Sequence, residues 1–381
     1  MSPPPGGTLV VAGTSARAMA ESARQGGWRV VALDVFGDLD TRRASARWWR
    51  VGDPSTLAID PARLREALAA AAAEPNPAGW VAGGGFDGAP DLLTAAPPGL
   101  RLLGMAPGPV RALRDPRSFF ATLDRHGLRH PEVSFERPAD PSGWLAKRAG
   151  GSGGWHIAPA SSALVHEDTY FQRQRSGRPM SALFLADGEA TRLVALNELT
   201  VGPLGARPCV YHGAIGPVRD AALEAALTAV LERLVPAFGV RGLASLDFVE
   251  DDGTPWLLEV NPRPSASMVL HAQAWPAGLM RAHVAAVGGH LTAARARGGV
   301  RGIRTVFAAR PCRIDGALLA WIAHRPHTHD LPAAPQAFAA GDPVCSVSAE
   351  AADAAAVRRL LDERVAAVTE RLLPHFPENP R

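Results

Sequence analysis

Two acidic residues stand where a folded chain rarely leaves them. In the stretch Leu243 to Arg263, L-A-S-L-D-F-V-E-D-D-G-T-P-W-L-L-E-V-N-P-R, Asp247 sits between Leu246 and Phe248, and Glu259 between Leu258 and Val260. Asn261 follows Glu259 at a spacing of two, on the same face of an extended strand. A carboxylate among apolar neighbours costs free energy unless a cation or strong donors compensate. Asp247, Glu259 and Asn261 offer three oxygen donors, a set suited to Mg²⁺, with Mn²⁺ as a substitute, the ion taking further oxygens from water and substrate phosphates. The plainer alternative is a hairpin with one solvated face, on which both carboxylates meet water. Arg263, between Pro262 and Pro264, has a stiff backbone. Upstream, Lys147 lies late in an apolar run, W-L-A-K-R, that leads into A-G-G-S-G-G-W-H-I. The backbone N–H groups of Gly151, Ser152, Gly153 and Gly154 can cradle phosphates. Such a loop alone is most often a hairpin turn, and the Gly-Lys-Ser/Thr of a Walker A motif is absent.

Placing these groups requires strands in a definite order. The acidic stretch reads as a hairpin, with strands Leu243 to Val249 and Trp256 to Val260 around the turn Asp251-Asp252-Gly253. At the start of the chain, a strand Thr8 to Ala12, the turn Gly13 to Arg17, a helix Ala18 to Gln25 and a strand Trp28 to Leu33 make a βαβ unit. A dinucleotide fingerprint needs G-x-G-x-x-G, and only Gly13 is present, so the unit reads as Rossmann-like without a bound dinucleotide. Asp34 would suit a ribose contact or a loop cap. A helix Pro61 to Ala73 and a strand Gly79 to Ala82 lead into Gly83-Gly84-Gly85-Phe86-Asp87-Gly88, either a backbone that approaches a ligand or a flexible turn. Ala106-Pro107-Gly108-Pro109 reads as a linker. Beyond it come a helix Pro116 to His126 capped by Asp115, a hairpin Pro179 to Ala186 and Thr191 to Leu196, a helix Ala221 to Val235, and a helix around Met268 to Ala286. Strands Ile303 to Ala308 and Val344 to Val347 and an amphipathic helix Ala351 to Leu373 close the chain.

The 381 residues suit two or three domains; 47% are apolar and 20% charged, as in a globular protein. A net charge of +3 gives no nucleic-acid footprint. No apolar run spans a bilayer, and M-S-P-P-P-G-G is not a signal peptide, so a cytoplasmic protein is expected. Cys209, Cys312 and Cys345 have neither zinc spacing nor an even count. His324, His327 and His329 form a cluster that offers a zinc site or, more simply, a polar loop. Cys345 reads as a small buried residue, and His212 as either site-facing or structural.

Several of these pieces, taken together, resemble the ATP-grasp superfamily. The run Glu259-Val260-Asn261-Pro262-Arg263 and Asp247 resemble its metal-binding segment. Asp115 to Gly127 resembles its D-K-x-x-F-x-x-x-L-x-x-x-G helix, with Pro116 in the Lys position and Arg117 beside it. Tyr170 to Gly177 resembles its Q-E-Y-I-x-G hinge; Gln172 and Gly177 fit, and Arg173 replaces the Glu. Gly341 to Ser346 resembles a segment of the carboxylase-like branch, and the whole looks most like predicted ATP-dependent carboligases related to biotin carboxylase. The resemblance implies an α/β chain with an N-terminal Rossmann-like (pre-ATP-grasp) domain over 1–107. A two-lobed α+β ATP-grasp domain follows over 108–298, with a nucleotide lobe at 108–178 and a metal lobe at 179–298. A C-terminal segment, 299–381, packs back on that core. It implies ATP held by Lys147, Gly151, Ser152, Gly153, Gly154, Gln172 and Ser181, Mg²⁺ on Asp247, Glu259 and Asn261, and Arg263 as the catalytic charge. The implied reaction is ADP-forming carboxylate–amine ligation through an acyl phosphate, with small-molecule carboxylate and amine substrates and a homodimer as the default assembly. It extends to assembly of a one-carbon cofactor of the methanofuran or methanopterin kind. Biotin-carboxylase-like carboxylation and an ATP-binding scaffold without turnover stay open as alternatives.

Overall fold

The computed structural model describes residues 6–295 and 298–372. Leu373, expected at the end of the last helix, and the Pro-rich residues 1–5 lie outside the described residues.

The first sheet has four parallel strands in the spatial order Arg47–Arg50, Arg29–Asp34, Thr8–Ala12, Pro77–Ala82. Its inner strands read T-L-V-V-A and R-V-V-A-L-D because a parallel sheet covered on both faces buries its side chains, here all but the leading Arg29. The carboxyl ends of these strands open into a crevice of the kind where α/β sheets take ligands. Asp34 shapes its wall. It accepts from Ala16 N at 3.1 Å, Gly37 N at 2.8 Å and Trp48 Nε1 at 2.7 Å. All that bonding is internal, so the loop-cap alternative describes it and the ribose contact does not.

The stretch expected to be a linker is instead the opening turn of a helix, Pro107–Arg114. Prolines are tolerated there because the first turn's N–H groups have no intrahelical partner. Asp115 then caps the next helix, Pro116–Arg125, accepting from Arg117 N and Ser118 N.

A small antiparallel sheet follows, in the order Val133–Ser134, Thr169–Arg173, Trp144–Arg148, Ala158–Pro159. Beyond it lies an eight-stranded antiparallel sheet, ordered Thr254–Asn261, Arg241–Asp251, Arg178–Asp187, Thr191–Leu204, Arg207–Val218, Val300–Phe307, Pro343–Ala351, Thr328–His329. The last three strands come from beyond residue 299, so the C-terminal segment extends this sheet rather than merely leaning on it. Helix Ala221–Phe238 covers one face with Leu223, Leu227, Leu231 and Leu234, and it runs through Pro236 because a proline costs little in a closing turn that ends at Gly239.

The single helix expected around Met268 to Ala286 is broken into a 3₁₀ stretch, Ala266–Ala274, and a helix, Leu279–Val287. Pro276 cannot continue a helix, and Gly278 takes φ +79° with its α-carbon against the first helix, where a Cβ would lie 2.2 Å from Ser22 O. Met280 N donates to Ser22 Oγ at 3.0 Å. His283, buried, accepts from Leu243 N and must therefore donate through Nε2 to Leu103 O, both at 2.8 Å. These bonds fasten the parallel sheet's unit to the large sheet. A second fastening joins the two ends of the chain: Arg17 donates through Nε to Asp330 Oδ1 at 2.5 Å and through Nη2 to Oδ2 at 3.3 Å, and through Nη1 to Glu21 at 3.1 Å.

The three histidines do not converge. His329 Nε2 pairs with Ser348 Oγ, His324 Nδ1 with Ala320 O, and among the described residues no three His, Cys, Asp or Glu side chains could share a metal ion. No helix among the described residues is long and apolar enough to cross a membrane.

Candidate active site

Strand register brings the acids together. Ser181 is opposite Asp247, and Asp247 opposite Glu259, in one row across three adjacent strands, with Ser245 opposite Asn261 beside it. Directly opposed residues share a face, so the row points one way. Ser181 and Asn261 both donate to Asp247, the Asn261 Nδ2 contact being 3.1 Å. Burial, and after it the Glu259 charge, raise the Asp247 carboxyl to about 7. Burial works against Glu259 too, but the charges of Arg114 and then Lys147 outweigh it and hold that carboxyl below its usual range.

The small sheet supplies the opposing wall. Lys147 is 8% exposed and donates through Nζ to Gln172 Oε1 at 2.6 Å. Burial lowers its pKa, with Glu259 the largest opposing charge. Tyr170 is opposite Lys147, on the face that also carries Gln172. The Gln172 amide nitrogen is buried without a partner among the described residues, a donor left over for a ligand. Arg173 turns away, donating to Ser142 O at 2.8 Å and lying over Trp144.

The glycine loop closes over this space. Tyr211 N donates to Gly153 O at 3.0 Å. Gly154 has φ +78°, and a Cβ there would stand 1.8 Å from Cys209 O. A Cβ on Gly151 would stand 2.0 Å from His156 Cγ. His156, driven by burial to a pKa of about 4, is a neutral imidazole.

One residue escaped the sequence reading. Arg114, the last residue of the helix whose opening turn was expected to be a linker, donates through Nη1 to Glu259 Oε2 at 3.1 Å and through Nη2 to Ala149 O at 3.0 Å and Gly151 O at 2.6 Å. It ties the glycine loop to the acidic row. Arg117, the residue adjacent to Pro116, instead lies over Phe135 at 4.0 Å. The signal was available: Val110, Arg111, Leu113 and Arg114 have helical amphipathic spacing.

Arg263 crosses from the hairpin to the parallel sheet. Its Nε donates to Asp87 Oδ2 at 3.0 Å, its Nη2 to Asn261 Oδ1 at 3.1 Å, and the guanidinium lies 3.9 Å from where a Cβ of Gly84 would be. The Gly83 to Gly88 turn is thus a close-approach site for a side chain. Other expected residues stand apart from the acids. His212 packs edge-on against Phe307, and Ser265 bonds Ser267. Burial pushes Cys345 up to about 12, as suits an inert buried thiol.

The donor set fits a hard cation. Asp247, Glu259 and the Asn261 side-chain oxygen are the ligand types Mg²⁺ takes, and a cation between the two carboxylates would relieve the repulsion that raises Asp247.

Residues 114–267 match the family model of the ATP-grasp domain. No curated protein matches in sequence. The ADP complex of purK, N5-carboxyaminoimidazole ribonucleotide synthetase, superposes with a TM-score of 0.67 at 14% identity over 97% of this chain and 98% of that one. Biotin carboxylase of Campylobacter jejuni, as a β-γ-ATP complex, gives 0.68 at 13% identity over 97% and 91%. N5-carboxyaminoimidazole synthase of Aspergillus clavatus, with ADP and 5-aminoimidazole ribonucleotide, gives 0.68 at 13% over 96% and 99%. These likenesses are of fold, and they run the length of the chain. The match to the ATP-grasp domain model thus covers residues 114–267, and over its whole length the chain is similar in fold to these proteins.

Proposed function

We propose that the chain is an ADP-forming ligase that joins a carboxylate to an amine through an acyl phosphate, using Mg·ATP. The observation that carries this reading is the facing of Lys147 and Gln172, on one sheet, with Asp247, Glu259 and Asn261 on another, while Arg263 reaches from that row to the crevice of the parallel sheet. Lys147 and the loop N–H groups would hold the phosphates, and the unpartnered Gln172 amide would donate to the nucleotide. Asp247, Glu259 and Asn261 would hold Mg²⁺, which when bound neutralises phosphate charge. Arg263 would hold the carboxylate in the crevice and stabilise charge on the phosphoryl group in flight. A carboxylate oxygen attacks the γ-phosphorus as the bond to the β-bridging oxygen breaks, giving ADP. The amine then attacks the acyl carbon; the C–N bond forms, phosphate leaves, and the nitrogen's proton goes to solvent. The chain needs no side-chain nucleophile for this.

The test is phosphate release from Mg·ATP with pooled amines and small carboxylates, wild type against Glu259→Gln. Substrate-dependent ADP and phosphate, lost in the variant, support the reading; failure to bind Mg·ATP refutes it. A second reading, bicarbonate as the carboxylate, is favoured by the names of the structural neighbours, a biotin carboxylase and carboxyaminoimidazole synthetases. Incorporation of labelled bicarbonate into product separates the two.

A further inference from the structure

The crevice at the carboxyl ends of the first two strands is crowded with acid. Glu21, Asp34, Asp38, Asp40 and Asp330 gather there, with Arg17 among them. Most are already satisfied. Asp34 accepts three internal bonds, Asp330 takes two bonds from Arg17, Glu21 takes another, and Asp40 accepts from Leu331 N at 3.3 Å. Arg17 is spent on these partners and is no free anion receptor.

Asp38 differs. It is 9% exposed, no group among the described residues donates a hydrogen bond to its carboxyl, and its oxygens are not fully enclosed. It heads the short helix Leu39–Ala44 without capping it, so the side chain leaves the helix's N–H groups unused. A largely buried carboxylate with no protein donor, surrounded by other acids, is costly to keep charged. The charged groups facing it are Asp330 from the C-terminal segment, Asp34 from the parallel sheet, Asp40 from its own helix, and Arg17 from the first helix. Acids outnumber the base, and the acids do not converge as metal ligands. A second buried group lacks a partner among the described residues: the Tyr211 hydroxyl, whose pKa is raised by burial first and then by the charges of Asp247 and Asp330.

The geometry points to Asp38 as the counter-ion for a protonated amino or guanidinium group on the ligase's amine-bearing substrate, a group distinct from the nitrogen that attacks. This rests on the ligase reading and deepens it. An organic cation supplies the donors that Asp38 lacks and offsets the surplus acid. An anionic acceptor such as glutamate, which a one-carbon-cofactor role would call for, meets like charge here. Burial, then Asp330 and Asp34, push the Asp38 carboxyl up to about 8, so without a counter-ion it keeps its proton near neutrality. Binding of the cation then expels a proton, and affinity falls by up to about tenfold per pH unit below that value.

The experiment uses the full chain with saturating Mg·ATP. L-Lysine, L-ornithine, L-arginine and agmatine are compared with L-norleucine and L-glutamate, by calorimetric binding and by phosphate release with a carboxylate pool. The expected result is binding and stimulation at least about tenfold better for the cationic compounds, with proton release at pH 7. Asp38→Asn copies the shape of the protonated acid and keeps the fold, which a melting curve verifies. It should weaken the cationic compounds about tenfold or more and leave Mg·ATP affinity unchanged. Equal response to norleucine or glutamate, or full cation affinity in Asp38→Asn, overturns the proposal. So does absence of any cation binding in a protein that binds Mg·ATP, a result that leaves the ligase reading standing. Failure to bind Mg·ATP sinks the ligase reading instead, and the cation titration still decides what Asp38 receives.

Discussion

Replacing Arg114 by methionine would keep the apolar stem and remove the guanidinium that joins Glu259 to the glycine loop. The pair is enclosed, with side-chain exposures of 8% for Arg114 and 28% for Glu259, and its N–O distance is 3.1 Å. Removing one partner of a buried pair costs about 3–5 kcal/mol, chiefly by stranding the other charge. Lys147 remains near Glu259 and offsets part of this, so the lower end, about 3 kcal/mol, is expected. The loss is recoverable. In Arg114→Met/Glu259→Gln no carboxylate is stranded, and a double-mutant cycle should give a coupling of about 2 kcal/mol. Urea unfolding of wild type, both single variants and the double variant, followed by tryptophan fluorescence, measures it. Mg·ATP at a hundred times its Kd should restore about 2.7 kcal/mol, provided the variant still binds it. A coupling under about 0.5 kcal/mol would mean that Arg114 does not balance Glu259 and that the loop is not held through it.

Further outcomes follow from contacts already described. Gly154→Ala puts a methyl group 1.8 Å from Cys209 O at φ +78°; it should raise the KM for ATP by roughly tenfold or more while the melting temperature moves little, since only the loop is displaced. Asp330→Asn strips the buried Arg17 of its principal counter-ion and should cost about 3 kcal/mol in urea unfolding; a loss below about 1 kcal/mol would show that Glu21 suffices. His283 is held near 4 by burial, and its unfolded value is about 6.5. Its contribution is therefore complete above that value and is lost as pH falls from 6.5 through 4, by up to about 1.4 kcal/mol per unit. His283→Gln should flatten this part of the stability–pH curve, and an unchanged slope would assign it to other groups.

What the sequence disclosed depended on the range of the interaction. The acids of the hairpin were legible because Asp247 and Glu259 break an alternating apolar pattern, and turn chemistry at Asp251-Asp252-Gly253 sets their pairing. Lys147 was legible for the same reason, as a charge inside an apolar strand. Arg114 was hidden by the prolines of its own helix, which look like a linker unless the first-turn exemption is allowed for. The bend at Pro276 and Gly278 was missed because an apolar helical period continues across it, while Ser22, from another unit, sets the break. Arg17 and Asp38 were legible only as loop residues that could meet a substrate, with no motif to say how. Nothing local announces that Arg17 is bound to Asp330, or that Asp38 is left without a donor, because both facts arise from parts of the chain that meet only in the folded molecule.

The ion pair between Arg17 and Asp330 spans 313 residues of sequence. During synthesis from the N-terminus, the parallel strands can pair and the first helix can dock long before residue 330 leaves the ribosome. Through that interval Arg17 lacks its principal counter-ion and has only N-terminal acids such as Glu21 and Asp40 to answer its charge, and the crevice has one wall. Closing so large a loop gains little from local order and is late by topology. The crevice beside the first two strands is therefore finished late, and a chain stalled or truncated before residue 330 would hold the acidic row, the lysine and the glycine loop while lacking one wall of the crevice proposed for the second substrate. A nascent chain would reach nucleotide competence before substrate competence, an order that pulse-labelled translation intermediates, probed separately with Mg·ATP and with a cationic amine, can display.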